Sequence, residues 1–196
     1  MFNKKLIIGA LASVAACSSF AEGSGLSYTY IGLAYQTVEI DDEDGDGYAI
    51  AGSVAINDSV FLLGQYSLTA SDDEFTDGTV IDDIELTQFS FGIGVHEPIS
   101  TKTDFVASLS YVDAEVDFAN QSADGNGYQV SAGVRAKPSD ILEFGASINY
   151  ADIEDEGEVG YSLSARIFAA PKISFGLGYG SADDVDAVSL DVRFDL

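Results

Sequence analysis

The chain ends in a stretch in which apolar and polar side chains alternate without a break. Residues 188–196 read VSLDVRFDL. Successive side chains of a β-strand point to opposite faces, so this pattern predicts a strand with one apolar face and one polar face. The apolar face holds Val188, Leu190, Val192, Phe194 and Leu196, and the polar face holds Ser189, Asp191, Arg193 and Asp195.

The same alternation recurs along the chain and predicts ten strands. Each is close to the roughly nine to eleven residues that a tilted strand needs to cross a bilayer. An even number of strands lets the first pair with the last, which leaves no unpaired edge in lipid. The sequence therefore predicts an all-β fold, a transmembrane antiparallel up-and-down β-barrel of ten strands, with eight strands as the alternative.

The first strand is predicted over residues 26–40, where two alternations compete. The aromatic Tyr28 and Tyr30 favour one face, whereas a stronger apolar set on the other face consists of Ile31, Leu33 and Tyr35. We expect the stronger set to face lipid, because the outer wall of such a barrel is apolar.

The amino end is typical of a secretory signal. Two lysines within residues 1–5 precede an apolar run over residues 6–16, which is too short to span a bilayer as a helix. Small residues follow, and the predicted cut lies between Ala21 and Glu22. This divides the chain into a signal peptide, residues 1–21, and a barrel domain, residues 22–196.

A second interpretation of the amino end concerns the only cysteine. Residues 14–17 read VAAC and resemble a lipoprotein cleavage box, which would place a lipid on Cys17. We favour the cut after Ala21, because a lipid anchor on a spanning barrel is redundant. If Cys17 leaves with the signal, no disulfide stabilises the mature chain.

The charge is strongly negative and unevenly placed. The chain has 33 acidic and 8 basic residues and a formal net charge of −25 at pH 7, which argues against nucleic acid as a partner. Short turns of such barrels face the periplasm and longer loops face outside, so we predict an acidic extracellular rim. The predicted acidic loops are residues 41–47, 71–85, 113–126, 152–158 and 181–186.

Charged residues also fall on the inward faces of the predicted strands, near the end with short turns. Two interpretations are open: a lumen held together by ion pairs, or a constriction that selects anions. We favour the first, because ten strands enclose a narrow interior. This predicted lumen network consists of Arg135, Glu143, Arg166, Asp191 and Arg193.

The first acidic loop contains part of a calcium-loop pattern. Asp42, Asp44 and Asp46 alternate before a glycine, but Ser53 stands where a bidentate Glu is required. We therefore predict an acidic hairpin without a cofactor, and at most loose binding of a divalent cation at these three aspartates.

The only histidine, His96, lies beside a predicted short turn, next to Glu97 and Pro98. A catalytic histidine needs a carboxylate or a nucleophile within reach, and the sequence indicates no second partner. His96 is therefore predicted to be a turn residue, and no residue is predicted to be catalytic.

Five short motifs carry a family resemblance: EG at 22–23, LSYTY at 26–30, GQYS at 64–67, TDFVA at 103–107 and GVRA at 133–136. With them the chain resembles the small outer-membrane β-barrel proteins of Gram-negative bacteria, the OmpA-type and opacity-protein-like group. Within this group it is most similar to small outer-membrane or vesicle-associated barrels of xanthomonads. The resemblance implies a surface-exposed barrel with no single agreed activity. Such barrels usually end in an aromatic residue, whereas this chain ends in Leu196.

These observations predict a non-enzymatic barrel of the Gram-negative outer membrane and its vesicles, with a role in surface interaction or envelope integrity. A narrow passive channel for small solutes is the alternative. The expected partners are outer-membrane lipid, lipopolysaccharide, the barrel assembly machinery and a host or surface ligand at the acidic loops.

Overall fold

Ten long strands close into a single antiparallel barrel. The computed structural model describes residues 20–21, 24–40, 43–71, 75–76, 81–82, 84–118, 121–154, 156–183 and 185–196. The barrel strands are β1 (Tyr30–Ile40), β2 (Glu43–Ala55), β3 (Val60–Ser71), β4 (Glu85–Ser100), β5 (Thr103–Phe118), β6 (Gln121–Ser139), β7 (Leu142–Ile153), β8 (Glu156–Ala170), β9 (Ile173–Ala182) and β10 (Val185–Asp195).

Each strand pairs with the next one in the chain, and the barrel closes between its last and first strands. The pairing of β10 with β1 runs from Val185 opposite Ile40 to Asp195 opposite Tyr30. The prediction of ten strands is therefore confirmed and the alternative of eight is wrong. No helix in the described part of the chain is long and apolar enough to cross a membrane.

The two ends of the barrel differ in the residues that lie there. We call the end where β2–β3, β4–β5, β6–β7 and β8–β9 are joined the turn end, because the predicted short turns lie there. We call the opposite end the acidic end, because the predicted acidic loops lie there.

The outward face of the barrel is apolar along the middle of the strands. In β10, Leu190 is 60% exposed, whereas the neighbouring Ser189 points inward and is 3% exposed. In β1, Leu33 is 53% exposed and the inward Gln36 is 3% exposed. The predicted faces of the first and last strands are therefore correct, as expected for a wall with lipid outside.

Tyrosines mark the border of this apolar band towards the acidic end. Tyr111 donates a hydrogen bond to Asp113 (3.2 Å), and Tyr179 donates one to Asp186 (2.6 Å). Aromatic side chains with one polar tip are typical of the boundary between lipid and water. The tyrosine–aspartate pairs therefore indicate where the lipid ends.

Four of the predicted acidic loops are wrong in extent, because the strands continue into them. In the loop predicted over residues 181–186, β9 ends at Ala182 and β10 begins at Val185. β2 begins at Glu43, β5 runs to Phe118 and β6 begins at Gln121. Likewise β7 ends at Ile153 and β8 begins at Glu156. The antiparallel hydrogen bonds continue beyond the tyrosine border, because acidic residues on a wall that faces water do not interrupt a ladder.

Beyond that border the polarity of the wall is reversed. In β5, Val112 and Val116 point inward and are 0% exposed. Asp113 and Asp117 point outward and are exposed. The inward side chains form two acidic-end apolar clusters. One contains Leu86, Val112, Ala114, Val116, Ala151 and Ile153, and the other contains Val38, Val185 and Ala187.

The first strand begins later than predicted, at Tyr30 rather than at residue 26. Leu26 and Tyr28 are instead 0% exposed, and Tyr28 lies inside the barrel, bonded to Asp104 of β5. Gly25 has a positive φ of 73°, a conformation that favours glycine, and it precedes this entry into the lumen. The residues before β1 thus fill the lumen instead of extending the wall.

Candidate functional site

A layer of buried side chains crosses the lumen at the turn end. Each of the ten strands contributes an inward residue to this turn-end layer, and none of these residues is more than 6% exposed. In chain order they are Tyr30, Ser53, Phe61, His96, Asp104, Arg135, Glu143, Arg166, Ser174 and Arg193.

Glu143 is the centre of the charged part of the layer. Its carboxylate lies 2.6 Å from Arg135 Nη2 and 3.3 Å from Arg193 Nη2. Arg193 belongs to β10 and Glu143 to β7, which are not neighbours in the sheet, so their contact spans the interior. Arg193 Nε also lies 2.9 Å from Asp195 Oδ1. The carboxylates therefore compensate both buried guanidinium groups.

A second ion pair lies on the adjacent part of the wall. Arg166 Nη1 is 2.7 Å from Asp191 Oδ2 and donates a hydrogen bond to Ser174 Oγ at 3.2 Å. The pair lies over Gly176, where an added Cβ would overlap Asp191 Oδ1 and crowd Arg166 Nη2. A glycine at this position thus leaves the space that the ion pair occupies.

The structure brings all five residues of the predicted lumen network to the turn end. They form two ion-paired groups, one around Glu143 and one around Asp191. Each of the three arginines lies within ion-pair distance of a carboxylate, and Asp195 adds a further negative group. The layer therefore holds no surplus of positive charge.

The other part of the layer is built around Tyr28. The phenol donates a hydrogen bond to Asp104 Oδ2 (3.0 Å), and the ring stacks on His96 with centroids 3.5 Å apart and an interplanar angle of 13°. Phe61 packs beside it at 4.9 Å, and the Arg135 guanidinium carbon lies 5.3 Å from the ring centroid. Burial raises the pKa of the Tyr28 phenol, with Arg135 opposing the rise, so the group stays protonated and remains a donor.

The interpretation of His96 as a turn residue is wrong, because His96 belongs to β4 and points into the lumen. His96 is 2% exposed and its Nδ1 lies 3.7 Å from Asp104 Oδ2. His96 and Asp104 lie on adjacent strands, two residues apart in register, because His96 faces Val106 and Pro98 faces Asp104. Both therefore point inward and meet across the hairpin.

The roles of Tyr28 and Asp104 are not predicted from the sequence. One signal was present, because the alternation of the first and fifth strands already places both residues on inward faces. The sequence carries no signal for the contact between them, since it joins β5 to a segment that precedes the barrel, 76 residues away.

Other sequence predictions fall partly outside the described residues. Ala21 is paired with Leu26 in a short two-stranded piece, but Glu22 lies outside the described residues, so cleavage between Ala21 and Glu22 stays a prediction. Cys17 also lies outside them, and the lipid interpretation likewise stays open.

The predicted calcium-type loop is partly described. Asp42 lies outside the described residues, whereas Asp44 and Asp46 belong to β2, opposite Glu39 and Thr37. Within the described ranges, no group of three or more His, Cys, Asp or Glu side chains is arranged to hold a metal ion.

Two solved structures with TM-scores of at least 0.50 have a similar fold. The NanC porin matches with 9% identity over 84% of this chain and 100% of its own, with a TM-score of 0.53. An outer membrane channel from Pseudomonas putida F1 matches with 11% identity over 94% of this chain and 99% of its own, with a TM-score of 0.50. Ail, the attachment invasion locus protein of Yersinia pestis, matches with 16% identity over 85% of this chain and 97% of its own, with a TM-score of 0.43.

The family is shown by the sequence itself. No curated protein matches the chain. A family model described as the outer membrane protein beta-barrel domain matches residues 7–184, most of the chain. The chain therefore belongs to the family of outer membrane β-barrel proteins.

Proposed function

We propose that this protein is a non-enzymatic barrel of the Gram-negative outer membrane whose lumen is closed and whose acidic end acts at the cell surface. Its role is then surface interaction or envelope integrity, exerted by the outer wall and the acidic end. Outer-membrane lipid and lipopolysaccharide surround the wall, and the barrel assembly machinery inserts it. Outer-membrane vesicles carry the same membrane and are a second expected location.

The turn-end layer is the observation that carries this proposal. Side chains from all ten strands are buried there, and the contact between Arg193 and Glu143 crosses the interior. Tyr28 stacks on His96 and donates a hydrogen bond to Asp104 inside the lumen. So many buried side chains across the lumen favour a role at the surface over transport of solutes.

The distribution of charge supports an outward acidic end. The described acidic side chains beyond the tyrosine border, such as Glu115, Asp117 and Asp124, are exposed to water. Lys102, Lys137 and Lys172 lie at the turn end instead. Exposed carboxylates can share divalent cations with lipopolysaccharide phosphates or bind a basic surface of a host partner.

Labelling on intact cells tests this orientation. Single cysteines replace Glu154 at the acidic end and Asp140 at the turn end, two exposed acidic residues in connections. We expect Glu154→Cys to react with a membrane-impermeant maleimide on intact cells and Asp140→Cys to react only after the outer membrane is opened. The reverse pattern contradicts the proposal.

A narrow passive channel is the second candidate. It is favoured by the middle of the lumen, where small polar side chains such as Ser131, Ser147 and Ser164 point inward and are partly exposed. An anion-selective constriction is disfavoured, because the inward arginines are ion-paired. Conductance in planar bilayers separates a closed barrel from a channel.

A further inference from the structure

Residues 24–29 enter the turn end without joining the wall of the barrel. The wall is already closed by the pairing of β10 with β1, which begins at Tyr30. Within the described residues, the strand pairing of this segment is with the preceding residues, Ala21 opposite Leu26. The barrel sheet therefore leaves no edge in lipid whether or not the segment is present.

Side chains hold the segment at three levels. Lys137 Nζ donates a hydrogen bond to Gly25 O at 3.0 Å, near the mouth. Ser53 Oγ lies within hydrogen-bond distance of Tyr28 O (3.1 Å) as well as of Leu62 O (2.9 Å), and the Tyr28 phenol donates a hydrogen bond to Asp104. Contacts of this kind can be broken one by one, whereas a ladder of strand hydrogen bonds separates cooperatively.

The exit of the segment from the lumen is fixed by Thr29. The backbone N–H of Leu196 donates to Thr29 O at 3.1 Å, and the N–H of Ala55 donates to Thr29 Oγ1 at 3.1 Å. Thr29 is thus tied to β2 and to the carboxyl end of the chain. A rotation of the backbone just before Thr29 would withdraw Tyr28 and leave these ties intact.

We propose that residues 24–29 are a tethered stopper, which closes the turn end when Tyr28 is docked and opens it when Tyr28 is withdrawn. The side chains around Tyr28, which we call its docking slot, match the ring and the phenol in chemistry. His96 and Phe61 receive the ring, Asp104 accepts the phenol hydrogen, and Arg135 lies beside the ring. The barrel would then have a closed state and a state with water access to this slot.

The inference rests on the proposed closure of the turn end, but the two can fail separately. Conductance by the unaltered protein would contradict the closure. The stopper is tested instead by measuring how fast a reagent reaches a residue that the segment covers. Ser53 is suitable, because it is 3% exposed, touches Tyr28 O and is replaced by cysteine with little change in size.

The experiment measures how fast Ser53→Cys reacts with a small charged methanethiosulfonate in protein purified from outer membranes in detergent. The protein without Ser53→Cys gives the background. Tyr28→Ala is added to remove the ring from its slot, and Tyr66→Ala is the matched control, because Tyr66 is 43% exposed on the outward face. Heat-modifiable gel mobility reports in each case whether the barrel is folded.

We expect Tyr28→Ala to raise the labelling rate at least tenfold while the folded band is retained, and Tyr66→Ala to leave the rate unchanged. Tyr28→Phe keeps the stacking on His96 and should raise the rate much less than Tyr28→Ala does. Two results overturn the proposal: a rate in Tyr28→Ala within twofold of its parent, or loss of the folded band in Tyr28→Ala alone, which would make the segment part of the folded core.

Discussion

The interiors of the two ends of this barrel are opposite in chemistry. At the turn end, the lumen holds ion pairs around Glu143 and the slot of Tyr28. At the acidic end, the lumen holds the two apolar clusters, with Val116 fully buried. The outward faces also differ. The wall is apolar around Leu190, in the middle of β10, and acidic around Asp117, near the end of β5.

The difference shows that the same alternation of inward and outward side chains occurs in two environments, lipid and water. Where lipid surrounds the wall, apolar side chains face out and polar ones face in, and the polar groups satisfy one another. Where water surrounds the wall, acidic side chains face out and the interior packs like the core of a soluble barrel. The strands keep the same inward and outward parity across the border, and only the residue types are exchanged.

The largest expected effect comes from opening the ion-paired end. Glu143→Leu leaves Arg135 and Arg193 without their shared carboxylate, and removing one partner of a buried pair costs about 3–5 kcal/mol. Adding Arg135→Met should recover part of this loss, because one uncompensated charge is removed while Arg193 keeps Asp195. Unfolding midpoints in urea and detergent measure both. If the loss in the double variant equals the sum of the losses in Glu143→Leu alone and Arg135→Met alone, the two side chains do not share one network.

The outward faces should respond differently to the same new charge. Leu190→Arg places a charge on the lipid-facing wall, which costs about 2–4 kcal/mol near the middle of the bilayer. Asp117→Arg places the same side chain on the wall that faces water, where a surface change stays within about 0.5 kcal/mol. The yield of heat-modifiable folded barrel compares the two. Equal losses would mean that the acidic end lies in lipid.

A smaller and local effect is expected within the acidic end. Val116→Ala removes two methyl groups from a fully buried position and should cost about 1–3 kcal/mol, whereas its exposed neighbour, altered as Asp117→Ala, should change stability by less than about 0.5 kcal/mol. The loss should appear as faster amide hydrogen exchange in β5 and β6, with little change in β10. Identical exchange in both variants would remove the argument for an apolar interior at this end.

The sequence predicts the barrel well because its main signal is alternation. The number of strands and the inward side of β1 and β10 follow from residue types at every second position. The positions where the strands end at the acidic end do not follow from this alternation. The sequence around Asp113, Glu115 and Asp117 predicts a loop, because carboxylates on a water-facing wall resemble those of a connection.

The turn-end layer was predictable only in part. Arg135 and Glu143 lie on neighbouring strands of one hairpin, so spacing places them together. The contact of Arg193 with Glu143 and that of Tyr28 with Asp104 cross the lumen, and their separations in the chain carry no such signal. Those contacts depend on barrel closure and on the entry of residues 24–29, neither of which leaves a periodic pattern.

The central claim is that buried side chains close the lumen, and single-channel recording in planar bilayers tests it most directly. Purified protein that is fully heat-modifiable is added to one side, and the current is recorded at fixed voltages of both signs. The account predicts no stable step increase in current from the unaltered protein, because the turn-end layer blocks the path of ions. Reproducible, long-lived steps that scale with the amount of folded protein would contradict it and establish a channel.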